Sequence, residues 1–265
     1  MLYYIKLYGL HIKYIVKAEI QYKANFISGI FANFYTYLLM YMSIWILTNK
    51  FKVIAGWDYN ELIFLMALNL FSYAIAVSAL WGHMYGLEGS INNGNFDRIL
   101  IRPIHPIVSM IYNGFAWTGI GQIIVSSIFL LNSVLSLNVY WSIPKIIALI
   151  FGIIGGILIQ AAAQIFFGTL SFWIKKSMSL ANVLYYTLKE FINYPITIFG
   201  NVIKFILTYI LPWAFINYYP ALYILGKNDM SSNCCIFTPI IGGILLLLSI
   251  WLTNKGMSKY ESVGN

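Results

Sequence analysis

From Ile146 to Trp173 the chain runs through 28 consecutive residues without one Asp, Glu, Lys or Arg. A helix that crosses a bilayer needs roughly 20 apolar residues, and a helix on a water-soluble domain needs a polar stripe that this run lacks. Comparable runs recur at about Phe26–Leu47, Leu62–Gly82, Ile107–Leu131 and Ile236–Thr253, with a further one starting near Ser177. Apolar residues do not alternate with polar ones, so the runs read as helices rather than as strands of a barrel, the other backbone that lipid tolerates. The fold expected is an all-α membrane protein with six transmembrane helices, residues 1–265 forming one domain. Composition agrees: 60% of residues are hydrophobic and only 9% charged, against about 25% charged in a globular domain. A soluble enzyme, a disulfide scaffold and a disordered chain are excluded.

Residues 1–23 differ from these runs, because Lys6, His11, Lys13, Lys17, Glu19 and Lys23 interrupt them. That spacing predicts an interfacial helix, with the lysines at lipid headgroups and Leu7, Leu10, Tyr14 and Ile15 dipping into the acyl boundary. The lysines break any secretory h-region and no small-residue cleavage site follows, so the segment is expected to be retained.

Basic residues concentrate on cytoplasmic loops. An N-terminus inside places Lys6, Lys13, Lys17, Lys23, Arg98, Arg102, Lys175, Lys176, Lys255 and Lys259 in the cytoplasm. Lys50, Lys52, Lys145 and Lys227 then lie outside, with Lys189 and Lys204 unassigned. Both termini are expected in the cytoplasm. The net charge of +8 follows from topology, and no nucleic-acid partner is needed to account for it. Cys234 and Cys235 are adjacent, which strains a disulfide, and read as small apolar residues.

The chemistry of an independent enzyme or pump is missing from the sequence. Gly226-Lys227 has no glycine five residues before it, so there is no phosphate-binding loop, and no H-E-x-x-H, G-x-S-x-G or C-x-x-C occurs. His83 and Glu88 are conceivable as an acid/base pair of a lipid-modifying enzyme, but no oriented nucleophile stands with them. Ion-coupled transporters place ionisable groups at mid-span. Here only Lys189-Glu190 qualifies, either as an ion pair in a cavity or as a pair at the outer interface.

Two segments are unlike ordinary loops. Residues 84–106, the longest hydrophilic stretch, place Leu87, Ile91, Phe96, Ile99 and Leu100 around turn formers at Asn92 to Asn95. The pattern predicts a short amphipathic helix, a tight turn and a second short helix ending before Pro103. Between Lys176 and Cys234 lie 57 residues where topology requires one crossing. Either a surface helix from Ser177 to Phe191 precedes it, or a crossing from Ser177 to Tyr194 is followed by a re-entrant hairpin over 195–226. Tyr194-Pro195, Pro212-Trp213 and Tyr219-Pro220 favour the hairpin and make it the candidate outer gate. In the fourth span Gly152, Gly155, Gly156, Ala161, Ala162, Ala163 and Gly168 allow close helix contact, with Gln160 and Gln164 bonding across helices or lining a pathway.

The run Gly94-Asn95-Phe96-Asp97-Arg98-Ile99-Leu100-Ile101-Arg102-Pro103 resembles the G-x-F-D-x-x-L-x-R-P cytoplasmic signature of type-2 ATP-binding-cassette (ABC) exporter permeases. Phe172-Trp173, Tyr194-Pro195, Leu211-Pro212-Trp213-Ala214-Phe215 and Tyr219-Pro220-Ala221 are similar to the compact bacterial branch of that family. The resemblance spans the chain and implies a permease in a bacterial plasma membrane. It also implies a partner permease, identical or related, with the substrate pathway between the two chains, and a separate cytoplasmic ATPase dimer that carries ATP and Mg. No cofactor is expected in this chain. The ATPase-coupling residues implied are Leu87, Glu88, Ile91, Gly94, Phe96, Asp97, Arg98, Arg102 and Pro103. Gln160, Gln164, Phe172, Trp173, Tyr185 and Tyr186 are candidates for the pathway, although the aromatic ones equally fit an interfacial belt.

Overall fold

The computed structural model describes residues 2–227 and 232–262. The side chains of Lys6, Leu7, Glu19 and Lys23, expected in the surface helix, lie outside the described part. Helices joined by turns and short irregular segments make up the described residues, with one isolated β-bridge between Ile54 and Trp57.

The helices in chain order are α1 (Leu2–Gln21), α2 (Lys23–Phe51), α3 (Tyr59–Asn92), α4 (Asp97–Leu100), α5 (Pro106–Asn113), α6 (Thr118–Ser136) and α7 (Ile143–Thr169). A helical run of mixed pitch follows, with α8 (Ser177–Ala181), a π stretch (Asn182–Thr187), α9 (Leu188–Glu190) and a 3-10 turn (Phe191–Asn193). Then come α10 (Asn201–Phe205), continued by a π turn to Ile210, α11 (Ala214–Leu225) and α12 (Thr238–Ser258).

Among the described residues five helical segments are long and apolar enough to cross a membrane: Ile27–Phe51, Tyr59–Asn92, Gly119–Ser136, Ile143–Phe172 and Cys234–Ser258. Asn201–Ile210 and Ala214–Leu225 make a sixth only if this pair, bent by 103°, counts as one span. The continuous fifth span expected from Ser177 is thus a chain of short pieces. The continuous third span is also broken, at Gly114 to Trp117. There α3 takes up the freed backbone groups: Gly82 N–H donates to the Gly114 carbonyl at 2.9 Å and Ala116 N–H to the Ser78 carbonyl at 2.9 Å.

Helix α3 is the axis of the bundle. It starts at a reciprocal cap, Glu61 N–H to Asp58 Oδ1 and Asp58 N–H to Glu61 Oε2, both 2.9 Å. Helix α7 runs parallel along it, since Gly156 meets Ser72 and Gly168 meets His83 further down both helices. Gly152 receives Pro220 of α11 and Gly155 receives Thr238 and Pro239 of α12. The small residues of the fourth span therefore act as contact points, as expected. Across α7 and α12, Thr169 and Thr253 hydroxyls bond at 2.7 Å and Ser249 Oγ donates to the Ala162 carbonyl at 2.9 Å.

A buried polar layer crosses the middle of the bundle. Tyr185 OH donates to Gln160 Oε1 (2.7 Å), Gln160 Nε2 to Asn69 Oδ1 (3.0 Å), Asn69 Nδ2 to Asn193 Oδ1 (2.8 Å) and Asn193 Nδ2 to Glu190 Oε2 (2.7 Å). Beside it, Asn217 Nδ2 donates to the carbonyls of Leu65 and Ile192. A medium without water favours such internal pairing, although Asn217 Oδ1 has no partner and Glu190 is exposed.

Candidate functional site

The end of the bundle that carries Glu88 is built from the signature run. Apolar Leu87 and Ile91 continue the helical spacing of α3, and nothing breaks it before the Asn92–Asn95 turn. The separate first helix expected in residues 84–106 is accordingly the last turns of α3. Gly94 closes the turn at φ +69°, a left-handed conformation that glycine adopts without penalty. Phe96 N–H then returns to the Ser90 carbonyl at 3.0 Å. The second short helix is α4, and it ends before Pro103 as the pattern predicts.

Phe96, expected among the docking residues, points inward and is wholly buried. It clusters with Leu87 and Met110, flanked by Ile91, Ile99, Phe172, Met257 and Tyr260. Its ring meets Phe172 edge-on at 5.3 Å and Tyr260 at 4.8 Å. A Cβ at Gly256 would run into the Phe172 ring, so that glycine lets α12 close on the cluster. One phenylalanine thereby joins the turn after α3, the end of α7 and the end of α12. Apolar burial is what drives it inside.

The carboxylates also face the chain itself. Glu88 Oε2 accepts from Ser177 Oγ at 2.9 Å and from the Met178 N–H at 2.7 Å, which caps the first turn of α8. Asp97 Oδ2 accepts from Ser262 Oγ at 2.6 Å. Burial, helped by the neighbouring Asp97 carboxylate, holds the Tyr260 phenol above its ordinary pKa. What faces outward is a short rim, Arg98, Leu100, Ile101, Arg102 and Pro103, with Ile101 82% exposed. A cleft of about 610 Å³ opens at this end of the bundle, lined by Glu88, Ile91, Asn92, Phe172, Trp173 and Lys176 among others. Exposed Trp173 and half-buried Phe172, both pathway candidates, lie at this end of the bundle.

Of the other pathway candidates, Gln160, Gln164 and Tyr185 lie inside the chain's own helix packing, while Tyr186 is half-buried on a side face. Among the gate candidates Trp213, Tyr219, Pro195 and Pro220 are buried, and Tyr194 and Pro212 half-buried. α11 is wedged between α3 and α7, whereas Val202, Phe205, Tyr209 and Ile210 of the preceding limb are exposed.

His83 and Glu88 do not form a pair: His83 is enclosed against Gly168 and Glu88 is engaged by α8. Lys189 and Glu190 do not pair with each other as an ion pair. Lys189 is only 6% exposed, with its ammonium 3.3 Å above the Tyr73 ring, and Glu190 bonds Asn193. Sequence spacing could not reveal this, because the Tyr73 ring comes from another helix 116 residues away. No group of His, Cys, Asp and Glu able to hold a metal ion occurs among the described residues.

The family model described as ABC-2 family transporter protein matches residues 34–264, which takes in every element from the middle of α2 onward. No curated protein and no solved structure matches the chain.

Proposed function

The chain belongs to the ABC-2 family of transporter proteins, an integral membrane component of a transporter, and from that premise we propose how it works. It is the permease of an ATP-driven exporter in a bacterial plasma membrane, with both termini and the Glu88 end in the cytoplasm. ATP and Mg are held by a separate ATPase dimer. A second permease chain, identical or related, completes the substrate pathway.

The observation that carries this reading is the exposed rim around a buried Phe96. Arg98, Leu100, Ile101, Arg102 and Pro103 offer cations and apolar side chains to a partner, a composition suited to a protein surface. Phe96 is the joint behind them. Closure of the ATPase dimer pushes the rim, and the Phe96 ring passes the displacement to Phe172 at the end of α7 and to Tyr260 after α12. A packed aromatic contact transmits such a push because it is not continuously deformable. On the opposite side, α10 and α11 form a re-entrant hairpin whose buried limb, with Trp213, Tyr219 and Pro220, is a fixed plug and whose exposed limb is the part free to move.

Association with an ABC ATPase from the same organism tests the reading. Ile101→Asp is expected to abolish co-purification, with thermal unfolding of the permease unchanged. Retained association would contradict the assignment of the rim.

A further inference from the structure

Helix pieces α8 to α9 present an uncovered face. Asn182, Val183, Thr187 and Glu190 are exposed along it and Tyr186 is half-buried. Beside it α3 contributes exposed Trp81 and half-buried Tyr85 and Tyr73. The rings form a continuous series: Trp81 stacks on Tyr85 at 4.0 Å, Tyr85 meets Tyr186 at 6.4 Å, and Tyr186 meets Tyr185 at 4.9 Å. At its far end is the Lys189 ammonium, 3.3 Å from the Tyr73 ring centre and 5.3 and 5.4 Å from those of Tyr185 and Tyr186.

Ring faces hold a cation without neutralising it. Among the described residues the one ion pair joins Lys227 to Glu61, so no carboxylate lies within 4.0 Å of Lys189. Its neighbour Glu190 is turned to Asn193. Buried charges are ordinarily paired, so an ammonium enclosed by rings, with its neighbouring carboxylate bonded elsewhere, is a candidate binding position. The series of rings leading to it suits an apolar body attached to that anion.

We propose that this face binds an acidic amphiphile, with its phosphate or carboxylate at Lys189 and its apolar part along Tyr186, Tyr85 and Trp81. That the ligand is cargo rests on the transporter reading; the binding itself does not.

The test is equilibrium binding of dodecyl phosphate to the purified full chain in an uncharged detergent, with dodecanol as the uncharged counterpart. Dodecyl phosphate is expected to bind at least about tenfold more tightly than dodecanol, as for one charge-assisted contact. K189Q should remove that advantage, and K189R should keep most of it. Tyr186→Leu, which leaves the charge in place, should weaken both ligands. Equal binding of the two ligands to the unaltered protein overturns the proposal whether or not K189Q folds. So does unaltered dodecyl phosphate affinity in a folded K189Q, including the case in which K189Q instead shifts a monomer–dimer equilibrium, for then the cation faces a second copy. Failure of the transporter reading would register separately, as charge-selective binding by a chain that does not associate with the ATPase.

Discussion

At the Trp57 end, the first turn of α3 and the chain just after α11 are joined by an ion pair, Lys227 to Glu61 at 2.8 Å, with both side chains partly exposed. The Lys227 ammonium also donates to the Gly56 carbonyl and lies 4.9 Å from the Trp57 ring. At the Glu88 end, the ring of Phe96 is locked between Phe172 and Tyr260 with no exposure. A partly exposed ion pair is worth about 0–1 kcal/mol and is screened by salt. A buried phenylalanine truncated to alanine costs about 3–5 kcal/mol. One end is therefore a clasp that opens at little cost, and the other is a joint that must stay closed for motion to pass through it. Under the proposed function that is the useful order: stiff at the end where an ATPase would push, and releasable at the opposite end.

The largest expected effect is at the joint. Phe96→Ala should destabilise the protein by about 3–5 kcal/mol, seen as a large fall in thermal midpoint, and Phe96→Leu should lose less. Next is the buried polar layer between the two ends. Gln160→Leu orphans the Asn69 carbonyl and the Tyr185 hydroxyl, at about 1–3 kcal/mol. Adding Tyr185→Phe should recover part of that loss in a double-mutant cycle; strict additivity would show that the pair is not coupled. Glu88→Ala removes the cap on α8 and should cost about 1 kcal/mol, with faster hydrogen exchange confined to Ser177–Ala181. The smallest effect belongs to the clasp: Lys227→Gln should cost under about 1 kcal/mol, and the difference should shrink at high salt. A clasp variant as damaging as Phe96→Ala would erase the contrast between the two ends.

The chain's membrane character and most of its spans were legible from uncharged runs, because lipid imposes the same demand on every residue of a span. Gly94 and Pro103 marked the turn and the end of α4, since backbone chemistry acts locally. The direction of Phe96 was not legible. Its partners Phe172 and Tyr260 are 76 and 164 residues away, and an apolar residue in a polar stretch reads equally as a docking contact. The break at Gly114 was hidden because its backbone groups are satisfied by α3 and not by neighbours in sequence. The surroundings of Lys189 were hidden for a related reason: the Tyr73 ring over its ammonium comes from another helix.

The central claim is that the rim meets the ATPase while Phe96 works behind it. A photo-crosslinking amino acid placed at Ile101 or at Phe96, in the assembled complex, tests this most directly. Label at Ile101 should join the ATPase, and label at Phe96 should join only this chain, at α12 or the end of α7. ATPase captured from Phe96 but not from Ile101 would contradict the account.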